Sequence, residues 1–314
     1  MIKHSAVAGL ALALVAGSAF AADLPYRKAP LVEPPPPPFT WTGLYGGINI
    51  GYGFGNGNQD PGALINYPYT YAPVETINVA AVRSFSITPS PTGWWIPNDL
   101  SGVLGGGQAG FNYQFNPWLV VGIEADLQAA DVHSQGNGVG AGANNFPFYS
   151  QTTYATQNKS VDWFGTVRGR LGVTFPTFPN ILVYGTAGLA YGNVIHSVNV
   201  SGFYPSLGFG GVAGGVIGAG TNYDQTKVGW TAGGGVEWFP LPTHALFKAF
   251  SVKLEYLYTD LGSTTLYGAS IASVPSYLPG FAYQQTSATR WSTVRLGVNW
   301  HFNPFVSAPV LAKY

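Results

Sequence analysis

Between Ser160 and Phe175 the chain reads SVDWFGTVRGRLGVTF, and alternate residues separate into an apolar set and a polar one. Val161, Trp163, Val167, Leu171, Val173 and Phe175 form the first set; Asp162, Thr166, Arg168, Arg170 and Thr174 form the second. In a β-strand, period two sends such sets to opposite faces. The division recurs to the last segment of this kind, where Arg295, Asn299 and His301 oppose Val294, Leu296, Val298, Trp300 and Phe302. Paired segments of about ten residues, each with one apolar, aromatic-edged face, are the pattern of a membrane-spanning barrel. The expected fold is all-β: a closed antiparallel transmembrane β-barrel of eight strands with long extracellular loops.

The first residues carry an address. Lys3 gives a basic start, Ala6 to Ala16 is an apolar run, and Ala19-Phe20-Ala21 fits a small-residue cleavage site. The run is too short, with the wrong flanks, to anchor as a helix. A cleaved signal peptide over 1–21 is expected, followed by a proline-rich periplasmic linker at 22–39, the barrel at 40–302 and a C-terminal tail at 303–314. Pro34 to Pro38 predicts a short polyproline II rod, about 3.1 Å per residue, acting as a spacer or as a contact with peptidoglycan or another periplasmic partner. Losing Lys3 leaves 12 basic against 13 acidic residues. That balance argues against a nucleic-acid partner, which needs a basic patch.

Charged residues make up only 8% of the chain, against roughly 25% in ordinary soluble proteins. A soluble exterior needs charge; an exterior in lipid does not. The chain has no cysteine, which excludes disulfides, thiol catalysis and cysteine-held metals.

Strands are expected near 40–55, 101–115, 118–132, 160–175, 181–192, 226–239, 250–258 and 289–302. Connections after the second, fourth and sixth are short. Those at 56–100, 133–159, 193–225 and 263–288 are long and belong outside the cell, as in outer-membrane barrels. On this register Glu124, Asp126, Arg168, Arg170, Glu237, Lys253, Glu255 and Arg295 face the lumen, four of each sign. A slip of one residue would put them all into lipid. Paired, they form a structural filling; hydrated, they could line a conduction path or ligand site. Inward Gly47, Gly51, Gly106, Gly110, Gly233 and Gly235 are expected to leave space among them. Two aromatic girdles are expected. One holds Trp41, Phe115, Trp118, Phe175, Trp238 and Trp300; the other holds Phe54, Trp163, Tyr191, Trp230, Tyr258 and Trp291. Val120, Phe164 and Leu257 break the alternation by falling on the polar face.

Several segments carry a resemblance. ADLP at 22–25, the proline run and FTWTGLYGGINIGYGFG at 39–55 are similar to the mature start of the alphaproteobacterial small outer-membrane β-barrel family, whose members include surface immunogenic and porin-like proteins. GGGQAGFNYQF at 105–115, VVGIEADLQ at 120–128, DWFGTVRGRLG at 162–172, LVYGTAGLAYG at 182–192, VGWTAGGGVEW at 228–238, VKLEYLY at 252–258 and VRLGVNWHF at 294–302 follow in order. The resemblance implies residence in the Gram-negative outer membrane, contact with its lipid, and delivery by the barrel-assembly machinery. Family members typically end at the aromatic residue of the last strand, whereas this chain continues past Phe302 to Tyr314.

Residues that could carry chemistry are few. GGGQAG at 105–110 lacks the lysine-serine pair and following helix of a phosphate loop and reads as packing glycine in a strand. Asp131, His133 and Ser134 are too close in sequence to be trusted as a triad, which is defined by geometry. No histidines stand at metal-ligand spacing. Haem is bound by some members of the resembled family, and His133 and His196, with Tyr204 nearby, could supply a site. No cofactor, metal or catalytic residue is assigned. The expected role is structural or porin-like at the cell surface. The alternatives are a surface ligand-binding or adhesive protein and, more distantly, a small-solute channel or membrane enzyme.

Overall fold

The computed structural model describes residues 39–65, 69–70, 86–87, 92–144, 149–204, 215–242, 244, 247–270 and 281–302. The expected signal peptide, the C-terminal tail and all of the linker but Phe39 lie outside the described residues. Twelve strands follow in order: β1 (Gly43–Phe54), β2 (Asn58–Ile65), β3 (Tyr69–Thr70), β4 (Ser86–Ile87), β5 (Gly93–Asn98), β6 (Ser101–Asn116), β7 (Leu119–Asn144), β8 (Tyr149–Phe175), β9 (Phe178–Tyr204), β10 (Gly215–Trp238), β11 (Phe250–Ser270) and β12 (Phe281–His301). β3 and β4 pair only with each other.

Eight strands close the ring. Their order is β1-β6-β7-β8-β9-β10-β11-β12, with β12 returning to β1 from Tyr45–His301 to Phe54–Ser292, every pairing antiparallel. Closure leaves no free edge in this part of the sheet. Its exterior is apolar because the outward positions are Ile48, Ile123, Leu127, Val167, Leu171, Leu189, Val228, Leu254 and Leu296, all exposed.

The strands run well past this ring. β7, β8 and β9 contain 26, 27 and 27 residues, whereas a tilted strand crosses a bilayer in about 9–11. The surplus fills most of what reads as long loops, and at that end the chain regroups. β6 leaves β7 at Ser101–His133, and the β10–β11 ladder stops at Trp230–Asp260. There β11 bulges between Asp260 and Ser263. Gly262 takes φ +78°, a left-handed turn that disfavours a side chain, and donates its N–H to Asp260 Oδ1 at 2.7 Å. Beyond the bulge β12 pairs with β2, and β2 with β5. The first predicted loop, 56–100, therefore supplies two strands of the main sheet besides the separate β3–β4 pair. The extension is a pair of four-stranded sheets, β7-β8-β9-β10 and β11-β12-β2-β5. β5 runs beside β7 without a ladder, its backbone close against Gly138 and Gly140: a Cβ at Gly138 would lie 2.7 Å from the Trp95 carbonyl.

The interior is layered. Trp41, Val120, Leu182, Tyr184 and Phe239 fill the short-turn end. Leu100, Leu104, Val132, Val161, Phe164, Ala190, Val194, Leu261 and Trp291 form an apolar layer where the ring meets the extension. Leu64, Trp94, Ile96, Ala155, Val198, Val200, Leu266 and Tyr283 join the two sheets above it. Val120 and Phe164, which break the sequence alternation, belong to these layers.

Two expected girdle residues are interior instead. Trp291 is 0% exposed and Trp41 1%. Trp291 shares the inward parity of Arg295 on β12 and packs edge-on against Phe164, centroids 5.3 Å apart. Trp41 precedes β1, turns under the ring and donates its indole N–H to Pro179 O at 2.9 Å. A bulge between Val161 and Phe164 also reverses the parity of β8. Val161 is consequently buried and Asp162 exposed, the opposite of the simple alternation. Phe115, Trp118, Trp163, Phe175, Trp230, Trp238 and Trp300 are exposed, with Tyr191 and Tyr258 half-buried.

Candidate functional site

Inside the ring, period-two geometry and register together place charges opposite one another. Glu124 on β7 stands across from Arg168 on β8, Glu237 on β10 from Lys253 on β11, and Glu255 on β11 from Arg295 on β12. Opposite-charge cross-strand pairs are the favourable arrangement. Of the eight lumen charges, none exceeds 5% exposure.

They form one connected cluster. Arg168 binds Glu124, and reaches Asp126 at 2.9 Å and Glu255 at 3.1 Å. Glu124 further accepts from Lys253 Nζ at 2.9 and 3.0 Å and from the Tyr45 hydroxyl at 2.7 Å. Arg295 donates from Nε to Glu255 at 2.6 Å and from Nη2 to Asp126 at 2.9 Å. Arg170 joins Glu237 at 2.7 Å and lies 3.9 Å above the Tyr184 ring centroid. Thr166 also donates to Asp126 at 2.7 Å, and the Tyr184 hydroxyl to Glu255 at 2.9 Å. Glu237 is closed off by Ser251 at 2.6 Å, Asn299 at 2.7 Å and His301 Nε2 at 3.0 Å. Buried charge persists when paired and hydrogen-bonded in this way. The partners Tyr45, Thr166, Tyr184, Ser251, Asn299 and His301 carry no motif of their own. What marks them is inward parity: Thr166, Ser251, Asn299 and His301 lie on strands that also carry a lumen charge, whereas Tyr45 on β1 and Tyr184 on β9 lie on strands that carry none.

The space expected beside the inward glycines is occupied. The space beside Gly110 is taken by the Tyr45 ring, and that beside Gly235 by the Tyr184 ring, with the Tyr184 hydroxyl 2.7 Å from where a Cβ would stand. They let bulky neighbours lie flat across the bore.

A second buried polar group lies in the extension and is not apparent in the sequence. Asp60 of β2 meets Lys159 of β8 at 3.6 Å, accepts from Gln157 at 2.7 Å and from the Ala288 N–H at 3.2 Å, and is also hydrogen-bonded by Ser287. Lys159 also donates to Ser287 and to Ala288 O, the latter at 2.8 Å. Burial pulls the Lys159 ammonium down to about 8, with Asp60 opposing. Beside it, opposite Lys159 on β9, His196 is 1% exposed and neither ring nitrogen has a partner. Burial, then the positive charge of Lys159, holds it down to about 4.

The remaining candidates separate. Asp131 and His133 lie 3.4 Å apart on the exposed outer face, whereas Ser134 points inward, so the three form no triad. His133 is outside and His196 inside, so they share no haem face; the Tyr204 side chain lies outside the described residues. The GGGQAG run lies wholly within β6, and the chain turns from it into β7 rather than into a helix. Among the described residues no cluster of three metal-ligating side chains occurs.

Comparison with known proteins places this architecture. The family model for the outer membrane protein beta-barrel domain matches residues 9–302. The 31 kDa outer-membrane immunogenic protein of Brucella melitensis is 33% identical over 292 residues, covering 92% of this chain and 96% of that protein. The 22 kDa outer membrane protein of Rhizobium leguminosarum is 32% identical over 160 residues, half of this chain and 53% of that protein. Among solved structures, the outer membrane protein OprG from Pseudomonas aeruginosa aligns over 84% of this chain and 99% of that one, at 13% identity and TM-score 0.34. Short turns at one end and long excursions at the other orient such a barrel with its short turns in the periplasm. Matched along nearly its whole length, this chain belongs to the outer membrane protein beta-barrel domain family and is a protein of the Gram-negative outer membrane.

Proposed function

We propose that this barrel is a structural, surface-presenting protein whose lumen is closed to solutes, and that its interactions occur on the extension above the membrane. The observation that carries this reading is the eight-charge cluster, four acids and four bases each joined to an opposite charge, bounded by apolar layers at both ends. An eight-strand barrel is just wide enough for side chains to fill, whereas ~16-strand porins leave an aqueous channel. The protein is porin-like by family and not by conduction. The name of the Brucella relative records immunogenicity, and surface exposure of this chain's extension is the corresponding property here.

The chain is proposed to be non-catalytic: no paired nucleophile and base reaches an accessible surface among the described residues. Barrel-assembly machinery is the proposed partner during insertion, and the proline-rich linker the proposed route to peptidoglycan. Planar-bilayer recording of purified protein in molar salt tests the closed lumen. Absent or brief, narrow openings are expected; stable steps on the nanosiemens scale would overturn it.

A further inference from the structure

The outer wall of the extension carries a groove that the lumen chemistry does not use. It has a volume of about 350 Å³ and is lined by Tyr154, Thr156, Asn199, Ser201, Gly218 and Gly220. Register arranges these residues in two rows across β8, β9 and β10. Tyr154, Ser201 and Gly218 make one row; Thr156, Asn199 and Gly220 make the other. The two glycines of β10 form an open floor. The Asn199 side chain lies over it, with Oδ1 2.7 Å from where a Gly220 Cβ would stand. Tyr154 stands beside the floor, 52% exposed.

We propose that this groove binds sugar residues of the glycolipid in the surrounding outer leaflet. Its chemistry is an aromatic face ringed by hydroxyls and an amide, with no charged lining residue. Hydroxyl and carboxamide groups both donate and accept, which matches the vicinal hydroxyls of a saccharide and neither an anion nor a cation. An exposed tyrosine offers an apolar face together with a polar tip. The Tyr154, Ser201 and Asn199 side chains make no hydrogen bond within the described protein, and Thr156 makes only a 3.5 Å contact to the Asn199 carbonyl. Their capacity is therefore open to a ligand. The volume falls within the ordinary range for small-molecule sites, ~300–1,000 Å³.

Position selects the source. Tyr154 lies nine residues beyond girdle residue Trp163, and Asn199 eight beyond Tyr191. At about 3.3 Å per residue and a tilt of ~45°, the groove sits roughly 20 Å above the hydrocarbon boundary. It opens sideways from the wall, toward neighbouring glycolipid headgroups, and not from the tip toward the medium.

The test titrates purified, folded full-length protein with the delipidated oligosaccharide released by mild acid from lipopolysaccharide of the native membrane, and in parallel with maltoheptaose. Saturable binding of the native oligosaccharide is expected, weakened at least tenfold in Tyr154→Ala and in Gly220→Leu. Asn222→Ala, on the same wall outside the groove, should leave it unchanged. Heat-modifiable gel migration checks that each variant is folded; should Gly220→Leu fail this, Tyr154→Ala and Ser201→Ala, both substitutions on the outer wall, carry the test. Absence of saturable binding, or equal affinity in Tyr154→Ala, would overturn the proposal. Tighter binding of maltoheptaose than of the native oligosaccharide would overturn the assignment to membrane glycolipid and leave a groove for free saccharide. None of these outcomes depends on whether the lumen conducts.

Discussion

The ring and the extension are built from the same strands, yet they present opposite exteriors. In the ring, β8 turns Arg168 and Arg170 inward and Val167 and Leu171 outward. Some ten residues earlier in the same strand, Thr156 and Asn158 face outward while Thr153, Ala155, Gln157 and Lys159 face inward, so the exterior has become polar and the interior is mixed. β9 keeps a largely apolar inner face throughout, from Leu182 and Ala190 to Val194, Val198 and Val200, while its outer face changes from Leu189 to Asn199. The backbone period does not change; the solvent outside does. Where lipid surrounds the wall, apolar groups go out and charge is hidden within. Where water surrounds it, the apolar groups form a core. The bulges at Ala129/Val132, Val161/Phe164 and Asp260/Ser263 fall at this changeover. The apolar layer around Trp291 and Phe164 separates the two interiors.

The contrast predicts where substitutions hurt most. Arg168→Leu removes a cation shared by three carboxylates, Glu124, Asp126 and Glu255, in the ring. Removing one partner of a buried charge cluster costs about 3–5 kcal/mol, so the urea midpoint in detergent should fall accordingly. An unchanged midpoint would mean the ring interior is hydrated, and the comparison would fail at its strongest point.

Acid should act through the extension. His196 titrates at about 4 when folded, against 6.5 unfolded, so between these values the unfolded chain binds the additional proton. Its contribution to stability is complete above about pH 6.5 and is lost as pH falls toward 4, in all about 3 kcal/mol. Unfolding followed from pH 7 to pH 4 should therefore be steeper in the wild type than in His196→Gln. Parallel curves would place His196 in water.

Gly138→Val would drive a Cβ against the Trp95 carbonyl, 2.7 Å away. Overpacking of this kind costs about 1–3 kcal/mol. The effect should be confined to the extension: protease nicking near β5 should increase while the heat-modifiable ring persists. Loss of the ring as well would show that the two parts unfold as one. Smallest of all is Arg290→Gln. Its pair with Asp260, at 3.0 Å, keeps Arg290 40% exposed, so the change should cost less than about 1 kcal/mol. A midpoint shift as large as that of Arg168→Leu would erase the distinction between rim and ring.

The ring was legible in the sequence because its two environments differ so strongly. Around VRLGVNW only one register keeps Arg295 out of lipid, and that register also places Glu255 opposite it. The extension was not. In Tyr154 to Ser160 the chain reads YATQNKS, where the inner face is alanine, glutamine and lysine and the outer face tyrosine, threonine and asparagine. Polarity there barely alternates, so the segment reads as loop. β2 and β5 carry Pro61 and Pro97 within paired strands, which argues against strand in any local reading. The Asp60–Lys159 contact spans 99 positions between two such segments and has no local signal. Trp41 and Trp291 show the reverse failure. Tryptophan suggested a membrane boundary, whereas parity with Arg295 already directed Trp291 inward.

The distribution of the lumen charges over the strands has a consequence for the order of insertion. β7 contributes Glu124 and Asp126, β8 answers with Arg168 and Arg170, and β11 carries Lys253 and Glu255 together. Each of these units is neutral by the time its hairpin or strand is complete. Glu237 on β10 is the exception: its formal charge is balanced only when β12 delivers Arg295, although Arg170 touches it directly. The same strand also supplies Asn299 and His301 to that carboxylate and forms both closing ladders. A barrel lacking its final strand would thus be open at the seam and carry one unbalanced acid in its interior. The last strand to be synthesised closes the circle and balances the interior charge in one step.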